Sequence, residues 1–494
     1  MRWILFFAST LALTLCITGC RVGPHYQRPA TNAPQVFRGA TPSGIGAASP
    51  SQVVSVPELS TERAQVTSLG DEKWAEVFRD PTLQQLIREA LANNYDVRIA
   101  AERILEQQDR VGITRAQQFP TVSGGGSYTA LGLPRGLVKT LNSGSNGKPY
   151  TASSFYAGGF TLSAAWNLDF WGFYRRQTEA ARAQLLATEW GRRMTISTVV
   201  ENVATAYLRL RTLDSELDIT RRTLDARKQS LQLTETLEQG GSGTLADVRQ
   251  AEQLLYAAAA AIPDFERQIE QEENSISILL GRNPGSIIRQ ASEINWPQPE
   301  RIPAGIPSQL LDRRPDIQQA EAELLAANAN VGVAKAQLFP QLALSGTGGT
   351  SSSQLKGLID GKNTYWYATG NLTQTIFDAG RLRNNLRLSE AQKQEEVLVY
   401  QRTIKQAFQG VSDALIGLQK FREFRENEAE LTASAEDATR LARLRYNGGS
   451  TSYLEVLTND TNYYSAQLTL AVAQENEALS FVQLYSALGG GWQE

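Results

Sequence analysis

Histidine and cysteine are nearly missing from this chain: His25 is the single histidine, and the cysteines are Cys16 and Cys20. Metal sites built from His and Cys, and nucleophile–histidine triads, cannot be assembled from so few groups. Long apolar runs are also missing beyond the amino-terminal stretch, and a helix needs about 18 such residues to cross a bilayer alone. If the chain spans a membrane, it must use strands. Positive charge is not in excess either: 48 Lys and Arg stand against 51 Asp and Glu, a net of −3, which argues against a nucleic-acid partner. The carboxylates are scattered over helical segments beside Arg and Gln, the pattern of solvated helix faces. No catalytic, cofactor or metal-binding set emerges, and the chain reads as a non-enzyme.

What is present begins with a processing signal. Arg2 gives a short positive region, Ile4 to Ile17 is an apolar stretch broken by Ser9 and Thr10, and Ile17-Thr18-Gly19-Cys20 fits a bacterial lipobox. Residues 1–19 are then a lipoprotein signal peptide and Cys20 the first residue of the mature chain. Cys16 leaves with the signal, so no internal disulfide is available. The expected fate of Cys20 is an S-diacylglycerol thioether with an N-palmitoyl amine, a firm anchor because each buried methylene contributes about 0.8 kcal/mol. An ordinary secretory signal followed by an incidental cysteine is the competing reading. Arg21, in place of Asp, goes with sorting to the outer membrane of a Gram-negative cell.

The chain repeats itself. Arg115-Ala116-Gln117-Gln118-Phe119-Pro120 returns as Lys335-Ala336-Gln337-Leu338-Phe339-Pro340, and Gly240-Gly241-Ser242 with Asp247-Val248 returns as Gly448-Gly449-Ser450 with Glu455-Val456. The offsets differ because the first half carries an insertion, for which the Gly/Ser/Asn-rich stretch Leu133 to Ser154 is the natural place. Two long copies are not a solenoid array. Each half reads as helix, strand pair, very long helix, glycine turn, return helix. The first helix is expected from about Asp80 to Gln118, where Pro120 stops it.

The first strand pair is expected at Thr121 to Leu131 and Phe160 to Phe170, the second at Gln341 to Thr350 and Tyr365 to Phe377. Phe160, Leu162, Ala164, Trp166 and Leu168 alternate with Thr161, Ser163, Ala165 and Asn167, a period-two strand of the length expected in a tilted transmembrane barrel. A soluble sandwich would use the same alternation. Four strands per chain cannot close a barrel, whose practical minimum is about eight, so several chains must share one. The long helices are expected from about Phe173 to Gln239 and Arg381 to Tyr446, roughly 100 Å each at 1.5 Å per residue. Val199, Val203, Tyr207, Leu210, Leu213 and Leu217 recur at three- and four-residue steps, as in coiled-coil packing. A bundle or fibrous protein without a pore satisfies that period equally.

An ordered set of segments then resembles the TolC-like outer-membrane factors, in particular their OprM or NodT-type lipoprotein branch. They are Cys20 to Pro29, Trp74 to Phe78, Asp80-Pro81-Thr82-Leu83, Ile306 to Ile317 and the closing Leu488-Gly489-Gly490-Gly491-Trp492. The likeness covers the whole mature chain. It implies a mainly α fold with a small transmembrane β part: a homotrimeric α-helical barrel topped by a 12-stranded β-barrel. Residues 20–80 would be a lipid-anchored equatorial segment and 81–281 the first repeat with its strand pair at 121–170. Residues 282–313 would be an equatorial linker, and 314–494 the second repeat with its strand pair at 341–377.

The function implied is a passive exit duct for small molecules, fed by an inner-membrane resistance-nodulation-division (RND) pump through a periplasmic adaptor (membrane fusion) protein and held in outer-membrane lipid. A duct for protein secretion by an ABC transporter is the alternative, and a non-pore envelope coiled coil a more distant one. By the resemblance, the tips Gly241-Ser242-Gly243-Thr244 and Gly448-Gly449-Ser450-Thr451 would dock the adaptor. Tyr446 would bond to Asp247 to hold the periplasmic gate shut, with Leu454 an apolar constriction and Glu455 an acidic ring. The second acidic position of the family falls on Thr458, which leaves Glu455 as one ring with Asp460 adding charge nearby. The basic partner that some members carry near the second tip is Thr451 here, so that link is expected to be missing.

Overall fold

The computed structural model describes residues 21–30, 34, 36–39, 68–132, 154–289, 305 and 307–493. The signal peptide, Cys20, residues 40–67, the insertion at 133–153 and linker residues 290–304 lie outside the described residues. The regular elements are α1 (Pro81–Asn93), α2 (Tyr95–Ala116), β1 (Thr121–Gly132), β2 (Ser154–Leu168), α3 (Phe173–Gln239) and α4 (Leu245–Leu279). They continue with α5 (Pro315–Ala336), β3 (Gln341–Ser352), β4 (Thr364–Thr373), α6 (Arg381–Asn447) and α7 (Tyr453–Ala487). The halves match in length: α2 and α5 have 22 residues each, α3 and α6 have 67, α4 and α7 have 35.

One expected element is two. The helix anticipated from Asp80 to Gln118 breaks at Asn94, whose backbone leaves the helical region at ψ 132°. Its side-chain oxygen accepts from the N–H of Asp96 and Val97 and so starts α2, while its amide donates to the Leu279 carbonyl at 2.9 Å. An N-cap of this kind satisfies donors that a continuing helix would have used. The strands also shift: β2 starts at Ser154, ahead of Phe160, and β4 stops at Thr373, before Phe377.

The chain folds as two compact units. The first, Met1–Pro29, Leu105–Leu186 and Ala322–Leu398, contains one antiparallel sheet in the order β1-β2-β3-β4. Directly paired residues share a face, so the register sorts the side chains. Val122, Ala164, Gly346 and Ala368 fall on one face with Leu162, Gly348, Trp366, Trp166, Leu344, Leu342 and Leu372. Ser123, Ser163, Thr347, Tyr367, Asn167, Ala343 and Asn371 fall on the other. The apolar face is uncovered, with Leu162 61%, Leu372 71% and Trp366 83% exposed. A sandwich would bury it; among the described residues no second layer covers this face. Among the described residues no helix is long and apolar enough to cross a membrane.

The second unit, Ala30–Ile104, Ala187–Glu321 and Val399–Glu494, carries the main apolar core. Asp80 caps α1 by accepting from Thr82 and Leu83, and its other oxygen accepts from the buried Tyr207 hydroxyl at 2.8 Å. Burial first, then Asp80, pushes Tyr207 up to about 12. Tyr485 packs edge-on against Phe78 and donates to the Glu72 carbonyl. Trp492 faces Trp190, with the Arg193 guanidinium against both rings. Segments far apart in sequence, Trp74 to Leu83, Arg313-Arg314 and the carboxyl terminus, thus meet in one region. Arg313 pairs with Asp71 at 2.7 Å, and Arg314 donates to the Ala487 carbonyl.

The face assignment predicts an asymmetry between neighbours on β2. Leu162→Arg should lower the stability of the protein in bilayers by about 2–4 kcal/mol if it lies near the midplane, whereas Ser163→Arg should leave it nearly unchanged. Denaturant titration of reconstituted protein measures both, and equal effects would remove the assignment.

Candidate gate and docking tips

Both glycine turns are built in the same way. Gly241 and Gly449 take the left-handed backbone, φ +74° and +70°. Gly241 N–H donates to Glu238 and Ser242 N–H to Leu237; Gly449 N–H donates to Tyr446 and Ser450 N–H to Arg445. These are Schellman closures, in which the glycine past the helix end lets the last carbonyls find donors. A Cβ at either glycine would meet nothing within 4 Å, so the requirement is conformational and not one of space. Leu245 and Leu454, just beyond the two turns, are exposed.

The return helices start differently. At the first tip Thr244 and Asp247 form a capping box: Thr244 Oγ1 accepts from Asp247 N–H, while Asp247 Oδ2 accepts from Thr244 N–H at 3.0 Å and from its hydroxyl at 2.8 Å. At the second tip Ser452 is the N-cap but makes no side-chain cap bond. Glu455, at the position matching Asp247, instead accepts from Arg445 Nη1 at 2.7 Å and from the Thr451 hydroxyl.

The residues expected at the gate are placed as follows. A Tyr446–Asp247 hydrogen bond is not formed among the described residues, because the Asp247 carboxylate is turned to its own helix start. Tyr446 instead tilts against Tyr453, ring centroids 5.3 Å apart, beside a small apolar cluster of Ala251, Ala442, Tyr453 and Val456. Asp247 remains near enough that, after burial, its charge helps push the Tyr446 phenol up. The basic partner expected to be missing at Thr451 is supplied by Arg445, so Glu455 is not an isolated carboxylate. Thr458 is exposed and donates to the Leu454 carbonyl.

Asp460 is also no open pore charge. It is buried and accepts from Arg227 Nε at 2.9 Å and from Arg443 Nη2 at 2.8 Å. Arg227 and Arg443 are not legible in the sequence as partners of Asp460, yet a signal exists. Arg227 falls on the buried stripe Thr220, Arg227, Thr234 of α3, and Asp460 on the stripe Tyr453, Val456, Asp460 of α7, at spacings that otherwise hold apolar or small groups. Charge on a buried stripe requires a buried partner.

Comparison with known proteins follows the same outline. The family model described as "Outer membrane efflux protein" matches residues 86–282 and 306–490, one stretch in each half. The toluene efflux pump outer membrane protein TtgC of Pseudomonas putida is 35% identical over 486 residues, 98% of this chain and 96% of that protein. The cation efflux system protein CusC of Escherichia coli is 32% identical over 484 residues, 98% of each. The crystal structure of the open state of the Neisseria gonorrhoeae MtrE outer membrane channel superposes with a TM-score of 0.79 at 27% identity, covering 96% of this chain and 99% of that one.

Gly241→Ala and Gly449→Ala should each destabilise their turn by about 1–2 kcal/mol, because an L side chain is forced into the left-handed region. Limited proteolysis at the tips should quicken accordingly, with Asn better tolerated than Ala; unchanged cleavage would argue against a strained requirement there.

Proposed function

This chain belongs to the outer membrane efflux protein family, and from that membership we propose how it works as the outer-membrane channel of a tripartite efflux system. It is a passive exit duct for small molecules, and the energy for transport comes from its partners. The observation that carries the reading is the sheet: four strands that, among the described residues, are uncovered on their apolar face and have β1 and β4 as unpaired edges. Unpaired edges in a membrane leave backbone groups without partners, so the sheet must be closed by other copies. Three copies give twelve strands, and the protein works as a homotrimer.

The anchor reading gains support from the segment after Cys20. Val22 N–H donates to the Trp171 carbonyl, and the buried Arg176 donates to the carbonyls of Val22 and Pro24. Arg21 pairs with Glu179. Residue 21 is therefore tied to the turn that leaves β2, and an acyl group on Cys20 would sit near the membrane edge of the sheet.

The tips dock a periplasmic adaptor, and an inner-membrane RND pump feeds the duct through it. Tyr446, Leu454 and the Arg445-paired Glu455 narrow the aperture, with Asp247 acting through the helix start it caps. The relatives carry names of toluene and cation efflux, as expected if the duct leaves selection to its pump. In-cell crosslinking from a photoreactive residue at Thr244 or Ser450 tests the docking. An adaptor of an RND system is the expected capture; an adaptor of an ABC exporter would move the function to protein secretion.

A further inference from the structure

The end of the sheet away from the helices carries a fold-back that the duct reading does not use. Thr121, Leu168, Gln341 and Thr373 are the strand ends joined to helices, so the connection between β3 and β4, residues 353–363, closes the opposite end. It holds two short 3₁₀ turns, Leu355–Ile359 and Gly361–Asn363. The first is folded onto the apolar face. Gly158 shares that face with Phe160 and Leu162, and a Cβ on it would stand 3.6 Å from the Leu358 methyls and 2.9 Å from the Tyr128 ring. Gly158 is itself buried beneath them. Leu358 thus seats the loop, while Leu355 and Ile359 remain 74% and 91% exposed. Trp366, two residues past the start of β4 and on the same face, is exposed beside them in the chain.

The charge at this end is one-sided. Lys356 lies in the first turn and Lys362 in the second; both are exposed, and among the described residues neither forms an ion pair. Asp360, the one acid of the loop, accepts from the Lys362 N–H and so caps the second turn. The other connection at this end, residues 133–153, has Arg135, Lys139 and Lys148 in its sequence and no Asp or Glu. At the helix-joined end the charges are paired instead, Arg175 with Asp169 at 3.2 Å and Arg381 with Asp378 at 4.0 Å. Exposed aliphatic side chains beside unpaired lysines suit a lipid interface: the carbons enter the acyl layer, and the long lysine stems carry their ammonium groups to the headgroups. The apolar face of the sheet runs into this loop, so the surface is continuous with the one that lipid already covers.

We propose that the loop Leu355–Asn363 is a binding site for an anionic glycolipid of the outer leaflet. Leu355 and Ile359 enter its acyl layer, and Lys356 and Lys362 hold its phosphates. A phosphorylated, multiply acylated glycolipid fits because two unpaired lysines call for more than the single phosphate of a phospholipid. The proposal rests on the reading of the chain as an outer-membrane duct, in which the helices lie in the periplasm and this end of the sheet lies outside.

Native mass spectrometry of the purified full-length protein in detergent, titrated with diphosphoryl lipid A, tests it. The wild type should retain the lipid. Lys356→Gln combined with Lys362→Gln should weaken retention about tenfold or more, since each cation near a lipid surface contributes about a factor of five. Leu355→Ser combined with Ile359→Ser should weaken it as well. Lys420→Gln is the control, because Lys420 pairs with Glu423 on α6; it should change nothing. Dephosphorylated lipid A should bind the wild type as weakly as the diphosphoryl form binds the lysine variant. No retention by the wild type, or equal retention by the lysine variant, would overturn the site. Equal retention of phosphatidylglycerol would overturn the choice of a glycolipid. Planar-bilayer recording of the same preparation separates the two readings: protein that holds the lipid through its lysines yet never conducts would overturn the duct and leave the lipid contact standing.

Discussion

A four-stranded sheet that exposes its apolar face and leaves both edges unpaired cannot persist alone in water or in lipid. In water the apolar face has no cover; in lipid the two edges have no hydrogen-bond partners. The only arrangement that satisfies both is closure with further copies inside a membrane, and the rest of the chain is consistent with that demand. Ser123, Ser163, Thr347, Asn167 and Asn371 make the opposite face the more polar one, as a water-filled lumen would require. The duplication supplies two strand pairs from one short design, and each pair is followed by a 67-residue helix and a 35-residue return.

The helices were legible because they are long and their boundaries are chemically marked. Neither α3 nor α6 contains proline, and each ends at a pair of glycines whose second member takes a left-handed backbone. The strands were less legible at their ends. Ser123-Gly124-Gly125-Gly126-Ser127 has no side-chain alternation to read, and pairing alone extends β1 through it. The break at Asn94 was missed because the apolar period runs on across it; the asparagine acts through local hydrogen bonds that periodicity does not register.

The site divides in the same way. The tips were found because glycine is a backbone signal, but the partners of the acidic residues were not. Asp247 and Glu455 occupy matching positions in the repeat, yet one caps its own helix and the other meets Arg445. A carboxylate on a long helix reads as a solvated face until its neighbours are known. Asp460 is the clearest case: its stripe position was visible, its two arginines on α3 and α6 were not.

Closure by several copies is the claim on which the duct, the lumen and the aperture all depend, and mass measurement of the protein extracted from outer membranes tests it most directly. Native mass spectrometry in detergent should show three identical chains, each beginning at Cys20 and carrying acyl groups. A monodisperse single chain would contradict the account, because four strands would then have to satisfy their own edges in the membrane.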